Sequence, residues 1–355
     1  MISGHPRAFS MLMTLLIIGT CLTFFVLCAY AYTSWNPVSR SCMNRVSLRL
    51  LALALIFNLG FGVSFIFVTL LSKQTMPCAF LTFFTDFSQM FSAGMFFCMA
   101  LNLHLILVHK VNGQKMEKFY YLGTVIFAAA CSVTPLAAGV YGWSSHAQTC
   151  WFNTRTEAET FRWVIGTESF WLPFMAIGEA FMFLSIIVFF ISYEMATRRR
   201  RHFDSNTSDL GDRYPSESPF VKYRYTIIRI GLYPLVSCLI NFGTAILGIY
   251  QLTRPINWRR TVVALTVYSS RPTIYSLLAF TDPSFIRAAK KIWGHTRPST
   301  IFSTSPISVP TLTQISGEFT SNATWSSAQT PTRPEAEHEN QEKVQDRPSD
   351  IAIQL

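Results

Sequence analysis

Seven stretches of this chain run for twenty residues or more with scarcely a charged side chain: about 8–32, 47–71, 79–108, 119–141, 163–193, 226–250 and 261–281. A helix needs roughly 20 apolar residues to cross the hydrocarbon of a bilayer. Within lipid every backbone N–H and C=O must be satisfied by the chain itself, which leaves helices or closed barrels. The runs are continuous rather than alternating and too long for barrel strands, so they predict helices. Composition points the same way: 50% of the 355 residues are hydrophobic and 14% are charged, against about 25% charged in a soluble domain. The net charge of +10 does not mark a nucleic-acid binder, because the basic residues fall in short clusters between apolar runs. The expected fold is an all-α integral membrane protein, a seven-transmembrane helix bundle with a short amphipathic surface helix and a disordered C-terminal tail.

Orientation follows from Lys and Arg in alternate loops. One side holds Arg40, Arg45, Lys110, Lys115, Lys118, Arg198, Arg199, Arg200, Arg201, Arg213, Lys222, Arg224, Arg287, Lys290 and Lys291, fifteen in all. The other holds Arg7, Lys73, Arg155, Arg162, Arg254, Arg259 and Arg260, seven in all. The richer side is assigned to the cytoplasm, although the last three arginines oppose the rule. The first run is too long for a signal-peptide core of about 7–15 residues, despite Ala29-Tyr30-Ala31, and is kept as a span. The expected organisation is a short extracellular N-terminus at 1–8, a seven-span bundle at 9–281, an amphipathic juxtamembrane helix at 282–294 and a cytoplasmic Ser/Thr/Pro-rich tail at 295–355.

The juxtamembrane helix is expected because Asp282 is a good N-cap and Pro283 suits the first helical position. Phe285, Ala289, Ile292 and Trp293 share one face, with Arg287, Lys290 and Lys291 elsewhere, a pattern suited to the inner leaflet and anionic lipid. The tail is too poor in apolar residues to fold alone. Of eight cysteines, only Cys78 and Cys150 fall on the oxidising side. A bridge between them would pin the second outer loop over the bundle; the other reading is two unpaired thiols.

Ionisable groups at the bilayer centre cost about 2.5–3.5 kcal/mol on the insertion scale and tend to face the bundle interior. Asp86, Gln89, Ala93, Ala100 and His104 form one stripe on the third run. Glu179 lies on the fifth; Tyr233, Ser237, Asn241, Thr244, Gly248 and Gln251 lie on the sixth; Tyr268, Arg271 and Tyr275 lie on the seventh, with Asn58 a candidate from the second. Arg271 needs a counter-charge, and Asp86 and Glu179 are the available carboxylates. Such pairs either fasten helices together or line a ligand pocket or switch. No Cys/His spacing suggests zinc, and no GxSxG, HExxH or P-loop is present. Neither cofactor nor metal nor enzymatic activity is therefore expected, and the absence of lysine from the seventh run excludes a retinal Schiff base there.

Seven helices, a second outer loop carrying Cys150, a basic third inner loop and a Ser/Thr tail resemble a G-protein-coupled receptor. The rhodopsin-type signatures are missing: Leu101-Asn-Leu-His104 stands near the end of helix 3 in place of Asp-Arg-Tyr, and Arg271 precedes Pro272-Thr-Ile-Tyr275 where that family has Asn. The chain is more similar to the cyclic-AMP-receptor-like group, which includes fungal glucose-sensing-type receptors and is distantly secretin-like. The shared features are Cys150-Trp151, Ala100-Leu-Asn-Leu-His104, Leu232-Tyr-Pro-Leu235, Tyr275 and Thr281-Asp-Pro-Ser284, over about 45–293. The short N-terminus argues against the secretin branch with its large outer domain.

The resemblance implies a plasma-membrane receptor that transduces a small extracellular signal, nutrient-like or cyclic-nucleotide-like, to a heterotrimeric G protein. It also implies the Cys78–Cys150 bridge, since seven-helix receptors normally link those two positions. Asp86, Gln89, Trp151, Glu179, Asn241, Thr244, Tyr268 and Arg271 become pocket or switch candidates. His104, Arg198, Arg199, Arg200, Arg201, Lys222, Arg224, Arg229 and Tyr275 become G-protein-coupling candidates, although the arginine run also serves as a stop-transfer and lipid anchor. Pro234 removes a backbone hydrogen bond and would act as a bend. Further expected partners are membrane lipid and kinase- or arrestin-type regulators at the tail; nucleic acid is not expected. The competing reading is a secondary transporter or channel with a polar intramembrane path, although no internal repeat is visible. An intramembrane enzyme ranks third.

Overall fold

The structure is a computed structural model that describes residues 6–43, 45–71, 77–144, 149–204, 219–253 and 258–296. The described chain is almost entirely helical: α1 Pro6–Trp35, α2 Pro37–Met43, α3 Val46–Leu70, α4 Pro77–His109 and α5 Gly113–Ala137 come first. A hairpin of β1 Tyr141–Ser144 and β2 Thr149–Phe152 follows. The chain continues through α6 Glu157–Val164, a π-helical turn Ile165–Ser169, α7 Trp171–Asp204, α8 Pro219–Thr253, α9 Trp258–Phe280 and α10 Pro283–Thr296.

Six of these helical stretches are long and apolar enough to cross a membrane: α1, α3, α4, α5, the α6–α7 run and α8. The chain is an all-α multi-pass membrane protein in its spanning part. The seventh expected run is also helical, as α9, but it is less apolar than the six. Its polar side chains turn inward: Ser269 and Arg271 are each 2% exposed and Ser276 is fully buried.

Helix α4 is the most deeply buried of the six and packs against α3, α5, α7, α8 and the hairpin. Helix α1 lies against α9 and α3. Its approach to α9 depends on Gly19, where a Cβ would come within 2.8 Å of the Thr273 backbone nitrogen. Small residues let membrane helices approach so closely. Thr23 closes the same seam, its hydroxyl 2.6 Å from that of Ser276.

Three features depart from the expected layout. The outer loop contains an antiparallel hairpin, with Tyr141 opposite Phe152 and Trp143 opposite Cys150. Chain reversal after α5 uses Gly139 at φ 68°, a left-handed conformation that glycine adopts without a Cβ penalty. The fifth run starts earlier than the expected 163: α6 makes Phe161-Arg-Trp helical from Glu157 onward, and Thr156 caps it by accepting from the Glu159 amide at 3.2 Å. Third, α2 fills the first connecting loop and packs on α10.

The α10 end is tied by polar contacts. Asp282 Oδ1 accepts from the Ser284 and Phe285 amides at 2.7 and 3.2 Å, the N-cap expected of it. Its Oδ2 lies 3.3 Å from the Tyr233 hydroxyl, which also donates to the Leu278 carbonyl at 2.9 Å. Phe285 and Ala288 are buried, with Phe285 stacked on Tyr30 at 4.7 Å, while Trp293 is 70% exposed. Of the tail expected at 295–355, the first two residues belong to α10 and residues 297–355 lie outside the described residues, as do residues 1–5.

Candidate functional site

The strongest concentration of buried polar groups runs along α4, the π turn, α7, α8 and α9, and begins beneath the hairpin. Cys78 at the start of α4 and Cys150 in β2 are joined by a disulfide, their Cα atoms 5.4 Å apart. Tyr141 of β1 donates its hydroxyl to Asp86 Oδ2 at 2.6 Å. Burial and the Asp86 carboxylate push the Tyr141 phenol well above its ordinary range, so it remains a donor. Trp151 is half-buried in β2, its ring edge-on to Phe152 at 5.6 Å. It contributes to the apolar packing of the hairpin with Tyr141, Phe152 and Val164.

One turn along α4, Gln89 Nε2 donates to Glu168 Oε1 at 2.8 Å. The same oxygen accepts from the Tyr268 hydroxyl at 2.5 Å. Glu168 is the important residue that the sequence reading did not single out. It sits in the π turn, where Phe170 N donates to Ile165 O at 3.1 Å. Such turns are rare and are frequent at functional sites. A local cause is Pro173, which has no N–H with which to reach the Ser169 carbonyl. Placing the span's start at 163 left Glu168 near the interface, where a carboxylate costs little. The available signal was its eleven-residue separation from Glu179, about three helical turns and hence the same face.

Deeper in the bundle, Arg271 Nη2 donates to Asn241 Oδ1 at 2.6 Å. Asn241 Nδ2 donates to Ser237 Oγ at 3.1 Å, and Ser237 donates to Glu179 Oε1 at 3.2 Å. Arg271 and Glu179 are thus joined by a relay of two α8 side chains. The direct counter-charge expected for Arg271 is not there: among the described residues, the ion pair formed within 4.0 Å is Arg49–Glu117, elsewhere in the fold. Arg271 Nη1, Glu179 Oε2 and the Tyr275 hydroxyl are buried without a hydrogen-bond partner. Arg271 also lies over the Phe61 ring, 5.8 Å from its centroid.

Of the remaining candidates, Tyr275 adjoins this network and the others stand apart from it. Thr244 spends its hydroxyl on the Ile240 carbonyl of its own helix at 2.7 Å. Tyr275 is 1% exposed and stacks on Phe96 at 4.3 Å, which places it in the core rather than at an end of the bundle. His104 lies near the end of α4, its ring 5.4 Å from that of His109 and its Nδ1 unpartnered. Helix α7 runs through Arg198, Arg199, Arg200 and Arg201, and α8 runs through Lys222, Arg224 and Arg229. The side chains of these seven lie outside those described. Among the described residues, no group of three or more His, Cys, Asp or Glu is placed to hold a metal ion.

No protein-family model matches the chain, and no curated protein is similar to it.

Proposed function

We propose that this chain is a seven-helix receptor of the G-protein-coupled type, taking a small extracellular ligand into the hairpin end of its bundle. In this reading α9 is the seventh crossing; its polarity is tolerable in lipid because Ser269, Arg271 and Ser276 are turned inward. The N-terminus is outside and the C-terminus inside at the plasma membrane, following the excess of basic residues around Arg198–Arg201. The hairpin, held by Cys78–Cys150 and Tyr141–Asp86, is the outer cover. A rearrangement of α8 at Pro234 would open the basic ends of α7 and α8 to a heterotrimeric G protein.

The observation that carries the reading is the buried network itself. Asp86, Glu168, Glu179 and Arg271 are at most 8% exposed, and none is in an ion pair. A buried acid or base without a counter-ion is costly in lipid, and proton uptake, an occupant or a rearrangement relieves that cost. The resemblance to cyclic-AMP-receptor-like proteins supports the coupling partner and nothing finer about the ligand.

The test is ligand-stimulated nucleotide exchange on a G protein in membranes containing the chain. Ligand-independent solute flux in vesicles, without exchange, would favour the transporter reading that the same buried carboxylates support. Arg271→Met is the sharpest variant: it is expected to fold normally and lose the response. Undiminished signalling would remove Arg271 from the mechanism. Sugar on the Asn206-Thr-Ser or Asn322-Ala-Thr sequon would reverse the orientation.

A further inference from the structure

Beneath the hairpin, two acids stand on neighbouring supports of α4. Tyr141 donates to Asp86 Oδ2 at 2.6 Å, and Gln89, one turn along the same face, donates to Glu168 Oε1 at 2.8 Å. Both carboxylates act on the Tyr141 phenol and push it up, so their charges fall on the same place. Among the described residues neither has a cation within 4.0 Å, and Arg271, the cation of the deeper network, donates to Asn241. The two acids are unequally held. Glu168 Oε1 receives two donors, Gln89 and Tyr268, whereas Asp86 has Tyr141 as its side-chain donor among the described residues. The Ser132 hydroxyl of α5 adjoins Asp86, yet it is fully buried and without a hydrogen-bond partner.

The other elements packed on α4 bring no counter-charge to Asp86. Helix α5 adds the Cys131 thiol, and α9 sets Tyr268 on Glu168. Helix α7 places Glu179 deeper, on Ser237. On α8, Tyr233 is spent on Leu278 and Asp282, Cys238 lies by Glu179, and Tyr250 is exposed. Helix α3 carries no titratable side chain from Leu50 to Leu70.

Like charges repel strongly where the dielectric is low, and one proton removes the repulsion. Glu168, with its two donors, is the better-held anion, which leaves Asp86 to carry the proton. Because Tyr141 occupies Oδ2, the proton belongs on Oδ1, where the new O–H finds an acceptor in the orphaned Ser132 oxygen. Unlike a solute, a proton needs no cavity. Asp86 and Glu168 are each 8% exposed, whereas Glu179 is sealed at 0%. Asp86 also stands only about 12 Å of helix rise from Cys78, where the hairpin is bridged to α4. We propose that Asp86 binds a proton in exchange with the outer water, and that this proton is the signal the receptor reads. Hydronium delivers it, the Oδ1–H bond forms and water departs; release runs the same step backwards. The inference rests on the receptor reading and names its ligand. Protonation replaces a charge-assisted bond to the hairpin by a weaker neutral one and relieves the repulsion of Glu168 in the π turn, so it loosens the cover while settling the wall beneath.

The test is an infrared pH titration of the full chain in lipid nanodiscs, with isotope-labelled aspartate to separate its carboxylic C=O band from those of glutamate. The unmodified protein is expected to show a protonated aspartate at about pH 7, where an ordinary aspartate is protonated in only about one molecule per thousand. The band should fade as the pH rises, and Asp86→Asn should lack it. Glu168→Gln keeps an acceptor for Tyr268 and Gln89 but removes the like charge. Asp86 should then hold its proton at least about tenfold more weakly, moving the titration down by about one pH unit or more. The labelled, unmodified protein carries the test even if a variant fails to fold. No protonated aspartate near neutral pH, a band that survives Asp86→Asn, or a titration unmoved by Glu168→Gln overturns the proposal. Nucleotide exchange on a G protein, followed against pH without added ligand, should share the midpoint of the band. A titrating band with no exchange under any condition would sink the receptor reading alone. Exchange evoked by a solute and indifferent to pH would sink this inference alone.

Discussion

Both ends of the bundle set carboxylates against tyrosines, and they differ in what neutralises the charge. At the α10 end, Glu117 accepts from Tyr121 at 2.7 Å and is paired with Arg49 at 2.6 Å. Asp282 accepts from Tyr233 and also caps α10, where the helix N-terminus favours negative charge. Toward the hairpin end, Asp86 has Tyr141, Glu168 has Tyr268 and Gln89, and Glu179 has Ser237. Every one of those partners is neutral. The first arrangement is complete as it stands and holds helices in place. The second leaves buried acids and Arg271 without a counter-ion and Glu179 Oε2 and Arg271 Nη1 without hydrogen-bond partners, the condition expected of a site that rearranges or receives something.

Four substitutions, one of them also combined with a fifth, press on this contrast. The largest effect is expected at the cover of the hairpin end: Cys150→Ser opens a bridge across 72 residues, which loop-closure entropy makes worth about 4 kcal/mol. Melting in detergent with and without reductant reads it; no difference would mean that packing and Tyr141–Asp86 alone hold the hairpin. Next is Asn241→Leu, which strips Arg271 of its acceptor and should cost about 2–3 kcal/mol in denaturant titration. Adding Arg271→Met should recover most of that loss, since the orphaned charge is then gone; failure to recover would give Asn241 a role apart from Arg271. At the complete end, Asp282→Ala removes a cap and should cost about 1–2 kcal/mol. Faster hydrogen exchange at the Ser284 and Phe285 amides is the readout. The smallest effect belongs to Arg49→Met, under about 1 kcal/mol, because the Arg49 side chain is 41% exposed. A cost as large as that of Asn241→Leu would erase the contrast between the ends.

The helices were legible because lipid imposes so blunt a demand on sequence: long apolar runs with charges at their borders. The stripe of Asp86 and Gln89 and the spacing of Ser237 and Asn241 were also readable, since 3–4 residue periods put side chains on one face. The hairpin was not, because four-residue strands in a polar loop have no pattern long enough to detect. Glu168 was missed because its depth depends on a π turn and on where the helix begins, neither of which periodicity reports. Arg271 was recognised as needing a partner, but charge alone pointed to Asp86 or Glu179. The amide of Asn241 was chosen by the packing of α8 between α7 and α9, which no linear rule supplies.

The carboxylate of Asp282 divides its labour by oxygen: Oδ1 holds the first amides of α10 and Oδ2 holds the tyrosine of α8. It is a fastener that opens on one side only. If α8 swings away, Tyr233 releases one oxygen while the other keeps α10 wound, so the moving helix departs without unravelling its neighbour.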